Sequence, residues 1–313
     1  MIDIAGLERQ ILGGLKDFQR ATVERVHALF TGGRNRVLVA DEVGLGKTLI
    51  AKGVIAKMAH HHRERLNDDL FKVVYICSNQ SIAGQNLAKL KIHDTDRVES
   101  LSDTRLSMQH LRIFEEEANA RRRNHNIQLI PLTPQTSFSM TGGGGSVGER
   151  ALIYAILSRY PPLASYRNEL ERILRHNAYK SWDHWVKDAF EKRVADCERL
   201  TNGSYLKRML AEVDRRFSSQ PDEWTQLVEH CVKVRESGGE TGGSRPVIHR
   251  LRRMMAEISV GMMNADLVIM DEFQRFPELM RQDEDSETAI LARRFLNASG
   301  QGDRPVNVLL LSA

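Results

Sequence analysis

The stretch RVLVADEVGLGKTLIAKGVIAKM, residues 36–58, joins three local patterns in one short segment. VLVA is an apolar run typical of a buried strand, DEVGLGKT is dense in turn-forming residues, and TLIAKGVIAKM has the composition of a helix. A strand, a glycine-rich turn and a helix in this order predict a loop that wraps around phosphate groups. The alternative is a chance Gly-Lys-Thr in an ordinary loop, and the flanking strand and helix argue against it.

The residue types in this turn suit a phosphate for physical reasons. Gly44 and Gly46 let the backbone curl so that its N–H groups face inward. These donors and the positive end of the following helix favour phosphate oxygens. Lys47 would reach the β- and γ-phosphates, and the Thr48 hydroxyl would hold Mg²⁺. The sequence therefore predicts a nucleotide site that includes Gly44, Leu45, Gly46, Lys47 and Thr48.

One position departs from the general phosphate-loop pattern. That pattern has a glycine six positions before its lysine, where this chain has Asp41. The variant DEVGLGKT resembles the nucleotide loop of the Swi/Snf-type branch of superfamily 2 helicases, which are ATP-driven DNA translocases. The resemblance implies an α/β fold: a RecA-like P-loop NTPase lobe with a central parallel sheet. It also implies an enzyme that hydrolyses ATP with Mg²⁺ and binds nucleic acid, with DNA favoured over RNA.

Upstream, LKDFQRATVERVHALF (residues 15–30) has periodic apolar residues that predict an amphipathic helix. Gln19 lies in it, 28 positions before Lys47. In the family that the loop resembles, a glutamine at about this spacing reads the adenine edge. A solvent-facing helix glutamine is the alternative.

Two further segments, residues 72–90 and 127–140, each read as an apolar strand followed by a polar turn. They resemble family motifs Ia and Ib, whose turns contact the nucleic-acid backbone. Polar side chains and backbone amides suit such contacts, which position a strand without reading its sequence. Ordinary turn and capping chemistry is the alternative for both turns. The candidate residues are Ser78, Asn79, Gln80 and Gln85 in the first segment, and Thr133, Thr136 and Ser137 in the second.

The segment ADLVIMDEFQRF, residues 265–276, has a fully apolar strand that ends in two carboxylates. Such a run fits a central parallel strand, and open α/β sheets bind ligands at the carboxyl ends of their strands. By resemblance, Asp271 would hold Mg²⁺ and Glu272 would activate the attacking water. Gln274 occupies the position that links nucleotide and nucleic-acid sides in the family, although the large Phe273 is unusual there. A plain polar turn is the alternative.

The final stretch VNVLLLSA, residues 306–313, reads as one more buried strand, which ends in Ser312 and Ala313. In the family, this strand ends in Ser-Ala-Thr, a motif that couples the ATP and nucleic-acid sites. The resemblance makes Ser312 a coupling residue. It also implies a second RecA-like lobe beyond Ala313, which would supply an arginine finger.

Residues 142–245 interrupt the motif order. Glycine clusters open and close this span, and between them apolar residues recur every three or four positions, which predicts helices. We therefore expect three parts: residues 1–141 as the first part of the lobe, 142–245 as an inserted helical module, and 246–313 as the second part. The module is either an arm for nucleic acid or a protein partner, or a structural bundle with a charged, solvated face.

Composition narrows the class of protein further. No apolar run approaches the ~20 residues of a membrane span, and the first residues lack the apolar core of a signal peptide. Three scattered cysteines favour a reducing compartment, so we expect a cytoplasmic protein without a membrane partner. The net charge of +4 is compatible with a polyanion. Two alternatives to a motor lobe remain: a nucleotide-dependent interaction module that does not translocate, and a self-sufficient P-loop ATPase.

Overall fold

The computed structural model describes residues 3–42, 44–68, 70–78, 80–94, 96–98, 105–123, 127–133, 137, 144–182, 185–238, 243–275, 287–297 and 305–312. These residues form a six-stranded sheet in the order β1-β6-β5-β2-β4-β3, and all of its strand pairs are parallel. The strands are β1 (Arg36–Ala40), β2 (Phe71–Ile76), β3 (Arg97–Val98), β4 (Ile127–Leu132), β5 (Leu267–Asp271) and β6 (Asn307–Ser312). The predicted α/β fold with a central parallel sheet is confirmed.

Burial along the strands follows their place in the sheet. Every residue of β2 and β4 is buried, as are the first four of β5, because the inner strands of a parallel sheet are covered on both faces. Lys72 in β2 and Gln128 in β4 are polar residues buried among these apolar ones. The edge strand β1 alternates instead: Val37 and Val39 are buried, whereas Leu38 is 52% exposed. The run predicted to be a central strand, residues 267–270, forms β5, which lies inside the sheet between β6 and β2.

The described residues divide into two compact units, and we call the first one the lobe. It contains residues 1–104, 119–139 and 263–313. Its helices are α1 (Ile4–Gly13), α2 (Asp17–Thr31), α3 (Lys47–Leu66), α4 (Gln80–Leu90) and α13 (Glu287–Leu296). The predicted amphipathic helix is α2, which buries Val23, Val26 and Phe30. Helix α3 approaches it closely, since a Cβ at Gly53 would lie 2.8 Å from Cγ2 of Val23.

The second unit, which we call the helical unit, contains residues 105–118 and 140–262. Its helices are α6 (Val147–Leu157), α7 (Arg167–Arg175), α8 (Tyr179–Trp182), α9 (Lys187–Leu200), α10 (Ser204–Ser219), α11 (Pro221–Ser237) and α12 (Ser244–Met262), with a 3-10 helix at Pro161–Tyr166. Helix α5 (Leu106–Arg123) begins in this unit and ends in the lobe. Apolar stripes on these helices form one core, in which Trp182 and Tyr205 are the largest buried aromatic side chains.

Charged and titratable groups also lie inside the helical unit. The side chains of Glu149 and Arg252 are 1% and 0% exposed, with Arg252 Nε 2.9 Å from Glu149 Oε2. Arg105 Nη1 lies 3.3 Å from the same oxygen. His110 is buried with its Nδ1 3.0 Å from the hydroxyl of Tyr205. Burial lowers the pKa of His110 to about 3, because a charged imidazolium would lose its hydration.

The helical unit extends beyond the span in which the sequence predicted an inserted module, residues 142–245. Helix α12 belongs to it, whereas the sequence prediction assigned residues from 246 onwards to the lobe. Ile248, Leu251 and Met255, which recur at helical spacing along α12, are buried in the core of the helical unit. Among the described residues, no helix is long and apolar enough to cross a membrane.

Candidate active site

The phosphate-loop segment connects β1 to α3 at the carboxyl edge of the sheet. Gly44 and Gly46 have φ values of +91° and +83°, in the left-handed region that glycine adopts without a steric cost. Gly46 is the N-cap of α3, and its carbonyl accepts from the backbone N–H groups of Leu49 and Ile50. The N–H groups that precede Leu49 at the start of the helix have no carbonyl of an earlier turn to donate to. The geometry is therefore that of an anion-binding turn.

Lys47 begins α3, and its side chain folds back over the loop. Its Nζ donates to the carbonyl oxygens of Asp41 at 2.9 Å and Glu42 at 3.3 Å. An ammonium needs acceptors on several sides, and phosphate oxygens are stronger acceptors than these two carbonyls. Thr48 follows in the first turn of α3 and is partly buried.

Gln19 is tied to the same loop from α2. Its side chain is buried, Nε2 donates to the Leu45 carbonyl at 2.9 Å, and Oε1 accepts from the backbone N–H of Lys16 at 3.0 Å. The alternative of a solvent-facing glutamine is wrong. A Cβ at Gly46 would lie 2.6 Å from Nε2 of Gln19, so Gly46 is needed for close approach as well as for its backbone conformation.

The strand order brings the separate motifs to one edge. Strand β6 lies between β1 and β5, so Ser312 pairs with Ala40 and Leu311 pairs with Asp271. The backbone N–H of Asp41 donates to the Ser312 carbonyl at 3.2 Å. The phosphate loop, Ser312 and Asp271 therefore share the edge at which parallel sheets bind ligands.

Asp271 is held by two side chains that the sequence patterns did not single out. Its Oδ2 accepts from the hydroxyl of Tyr75 at 2.5 Å and from Nδ2 of Asn86 at 3.3 Å. Asn86 Nδ2 also donates to the Tyr75 hydroxyl at 2.9 Å. Burial, and then the charge of Asp271, raise the pKa of Tyr75 above its usual value. The tyrosine therefore stays protonated and donates to the carboxylate.

Glu272 has an unusual backbone for its residue type. Its φ is +52°, which costs energy for a side chain with a Cβ and is enriched at functional sites. Arg275, at the end of a 3-10 helix (Phe273–Arg275), places Nε 2.8 Å from Glu272 Oε2. Gln274 lies on the same turn and is exposed. This turn presents polar groups beside Asp271.

The turns predicted to contact nucleic acid differ from each other. Ser78 follows β2 and is partly buried, and Gln80 begins α4 with its side chain outside the described residues. Thr133 and Ser137 are buried, and the Ser137 hydroxyl accepts from the Thr133 backbone N–H at 3.0 Å. For these two the structure favours turn chemistry over phosphate contact. Three predicted positions lie outside the described residues: Asn79, Thr136 and Ala313.

One known protein family matches the part of the chain that contains the phosphate loop. The family model described as "Type III restriction enzyme, res subunit" matches residues 13–142. The matched range contains Gln19, the phosphate loop and the turns after β2 and β4, and it ends before Asp271. Over residues 13–142 this match indicates a helicase-like domain of superfamily 2, a class whose members in general hydrolyse ATP and act on nucleic acid. No curated protein matches the chain.

Proposed function

We propose that this chain provides the ATP-binding lobe of a helicase or translocase, of the Swi/Snf type by its phosphate loop, that couples ATP hydrolysis to movement along DNA. One observation carries the proposal: the phosphate loop and the Asp271-Glu272 pair end β1 and β5 at the same edge of one sheet, with Ser312 between them. Superfamily 2 chemistry requires these groups together, and the match to residues 13–142 supports that class.

The residues at this edge fit ATP and Mg²⁺. The loop offers backbone donors and Lys47 to the phosphates, and the carboxylate of Asp271 and the hydroxyl of Thr48 are the oxygen ligands that Mg²⁺ prefers. When bound, Mg²⁺ neutralises charge on the β- and γ-phosphate oxygens. Lys47 would stabilise the charge that develops on the γ-phosphoryl group. Glu272 would orient the attacking water and accept its proton.

Glu272 needs freedom to reach that water. Its carboxylate pairs with Arg275 in an exposed position, where an ion pair contributes little to stability and can open. We further propose that an arginine from a second RecA-like lobe completes the site. An arginine finger contributes ~10³ to 10⁵ in rate, so this chain alone would bind ATP and hydrolyse it slowly.

Nucleic acid would be bound through its backbone, by the turn at Ser78, Asn79 and Gln80, with Gln274 and Ser312 relaying to the ATP site. The net charge of +4 favours a polyanion. The helical unit is proposed to add further contacts to nucleic acid or to bind a protein partner.

The test measures three quantities on the chain: affinity for a fluorescent ATP analogue, affinity for duplex DNA at several salt concentrations, and ATP turnover with and without DNA. We expect ATP binding that is lost in Lys47→Ala, DNA binding that weakens steeply with salt, and low turnover. Glu272→Gln, which keeps the size of the side chain, should bind ATP normally.

Other outcomes separate the alternatives. ATP binding without salt-dependent DNA binding would indicate a nucleotide-dependent interaction module. Rapid Lys47-dependent turnover that DNA does not change would indicate a self-sufficient ATPase, and the proposed motor lobe would have to be abandoned.

A further inference from the structure

A cluster of three polar side chains lies at the sheet edge that carries the phosphate loop, and only one of them, Asp271, is among the site residues predicted from the sequence. Tyr75 on β2 is 1% exposed, and its hydroxyl is 2.5 Å from Asp271 Oδ2. Asn86 on α4 donates to both of these oxygens, at 2.9 and 3.3 Å. Tyr75 and Asn86 are 11 positions apart, whereas Asp271 lies 185 positions beyond Asn86, so only the folded sheet brings Asp271 to the other two.

The register of the sheet explains how the tyrosine reaches the carboxylate. Tyr75 pairs with Ile269 on the neighbouring strand, two residues before Asp271. Side chains two apart on a strand share a face, so Ile269 and Asp271 lie on the face that carries Tyr75. A phenol is long enough to span that offset and place its hydroxyl at the end of β5.

Both hydrogen bonds meet the same oxygen of Asp271. Within the part of the chain that the structure describes, Oδ2 takes the two donors and Oδ1 takes neither. A carboxylate without such bonds rotates easily about its last torsion, which has a broad, two-fold distribution. Two donors on one oxygen remove that equivalence, because they hold Oδ2 against Tyr75 and Asn86 and leave Oδ1 outside the cluster.

We propose that Tyr75 and Asn86 are positioning residues that hold Oδ2 of Asp271 and present Oδ1 to the cation of a nucleotide–metal complex. The inference rests on the proposed role of Asp271 as a metal-holding residue. Neither Tyr75 nor Asn86 touches the nucleotide in this arrangement. Hydrogen bonds behind a metal-holding group typically change metal affinity by 10–100-fold, so the effect is measurable without turnover.

The test titrates Mn²⁺ into the full chain with a non-hydrolysable ATP analogue and follows free Mn²⁺ by electron paramagnetic resonance. Tyr75→Phe removes the hydroxyl and keeps the ring in the core, and Asn86→Ala removes the second donor. We expect each variant to weaken Mn²⁺ binding roughly tenfold or more. Affinity for the nucleotide in the presence of EDTA should stay unchanged, because the phosphate loop is intact.

Tyr160→Phe is the matched control. The hydroxyl of Tyr160 donates to Asp214 Oδ1 at 2.8 Å in the helical unit, so this variant also loses a tyrosine–aspartate hydrogen bond. It should leave Mn²⁺ affinity at the wild-type value. Asn86 is only partly buried, so Asn86→Ala keeps the test available if Tyr75→Phe folds poorly.

Asp271→Ala separates this inference from the function on which it rests. If Asp271→Ala weakens Mn²⁺ binding and Tyr75→Phe and Asn86→Ala do not, the positioning role is refuted while Asp271 keeps its proposed role. If Asp271→Ala itself leaves Mn²⁺ binding unchanged, then the proposed role of Asp271 is wrong, and the positioning role is refuted with it.

Discussion

The Glu272 carboxylate and the Arg275 guanidinium form an ion pair one helical turn apart, with Arg275 Nε 2.8 Å from Glu272 Oε2. Glu272 makes this contact from a left-handed backbone, with φ +52°. The residue proposed to activate water therefore has a conformation that glycine would adopt at lower cost. Such strain is kept where the side chain has a task that a glycine cannot perform.

We therefore predict that replacing Glu272 with glycine abolishes ATP hydrolysis but relieves the backbone strain at this position. Glu272→Gly and Glu272→Ala should both retain ATP binding and abolish hydrolysis in the complete motor. Glu272→Gly should be the more stable of the two by about 1 kcal/mol, since glycine avoids the left-handed penalty. Chemical denaturation of the two variants measures the difference. An alanine variant as stable as the glycine variant would contradict the strained backbone.

Gly46→Ala should damage the phosphate loop. A Cβ there would lie 2.6 Å from Gln19 Nε2 at a φ of +83°, and left-handed strain costs about 1–3 kcal/mol. Since about 1.4 kcal/mol corresponds to a factor of ten in affinity, we expect ATP affinity to fall by roughly tenfold or more. Gly13→Ala is the control, because a Cβ at Gly13 meets no atom within 4 Å. Equal ATP affinity in the two variants would refute the close contact between Gln19 and the loop.

Stability of the helical unit should fall at acid pH through His110. Its pKa is about 3 in the folded chain and near 6.5 when unfolded, so the unfolded state binds the extra proton. The stability that the folded chain gains from keeping His110 neutral is fully present above pH 6.5 and is lost as pH falls from 6.5 towards 3. Linkage gives a loss of about 2 kcal/mol between pH 7 and pH 5.

His110→Gln should remove this part of the pH dependence, because glutamine does not titrate. Urea denaturation at pH 5, 6 and 7 would compare the slopes of wild type and variant. A variant that keeps the wild-type slope would show that His110 is not the group responsible.

The buried pair of Glu149 and Arg252 should be costly to break. Removing one partner of a buried pair leaves an uncompensated charge, which costs about 3–5 kcal/mol, so Glu149→Leu should be strongly destabilising in denaturant titrations. The double variant Glu149→Leu/Arg252→Met should recover much of the loss. Glu212→Gln, which breaks an exposed pair with Arg215, serves as the control and should change stability by less than about 1 kcal/mol.

Patterns within short stretches of sequence predicted much of the lobe. The phosphate loop was recognisable because a strand, two glycines and a helix are adjacent in the chain. Strands β2, β4 and β5 were recognisable because their residues are mostly apolar, and in β5 the apolar run before Asp271 is unbroken. Helix α2 followed from its periodicity. This periodicity could not show that Gln19 faces the phosphate loop instead of solvent. Its side chain contacts Leu45, which lies 26 positions away in the sequence.

The residues whose roles sequence reasoning missed or misassigned are those whose contacts a short pattern does not specify. Tyr75 lies in an apolar strand and resembles any core aromatic until β5 is placed beside β2. Thr133 and Ser137 are hydroxyls in a turn, and composition does not tell whether they face a ligand or each other. The helical spacing of Ile248, Leu251 and Met255 on α12 indicates that these residues are buried, but it does not specify the unit whose core they join.

The strand order also has a consequence for how the chain reaches its fold. Strands β1 and β2 are made early, yet the described sheet places β6 and β5 between them, and both of these strands follow residue 262. Ordering the lobe therefore requires closing loops of well over one hundred residues, and such non-local pairing slows folding. The helical unit is nearly continuous in sequence and can collapse first. Until β5 and β6 emerge from the ribosome, β1 and β2 expose unpaired edges, and during this interval the nascent chain is most prone to aggregation.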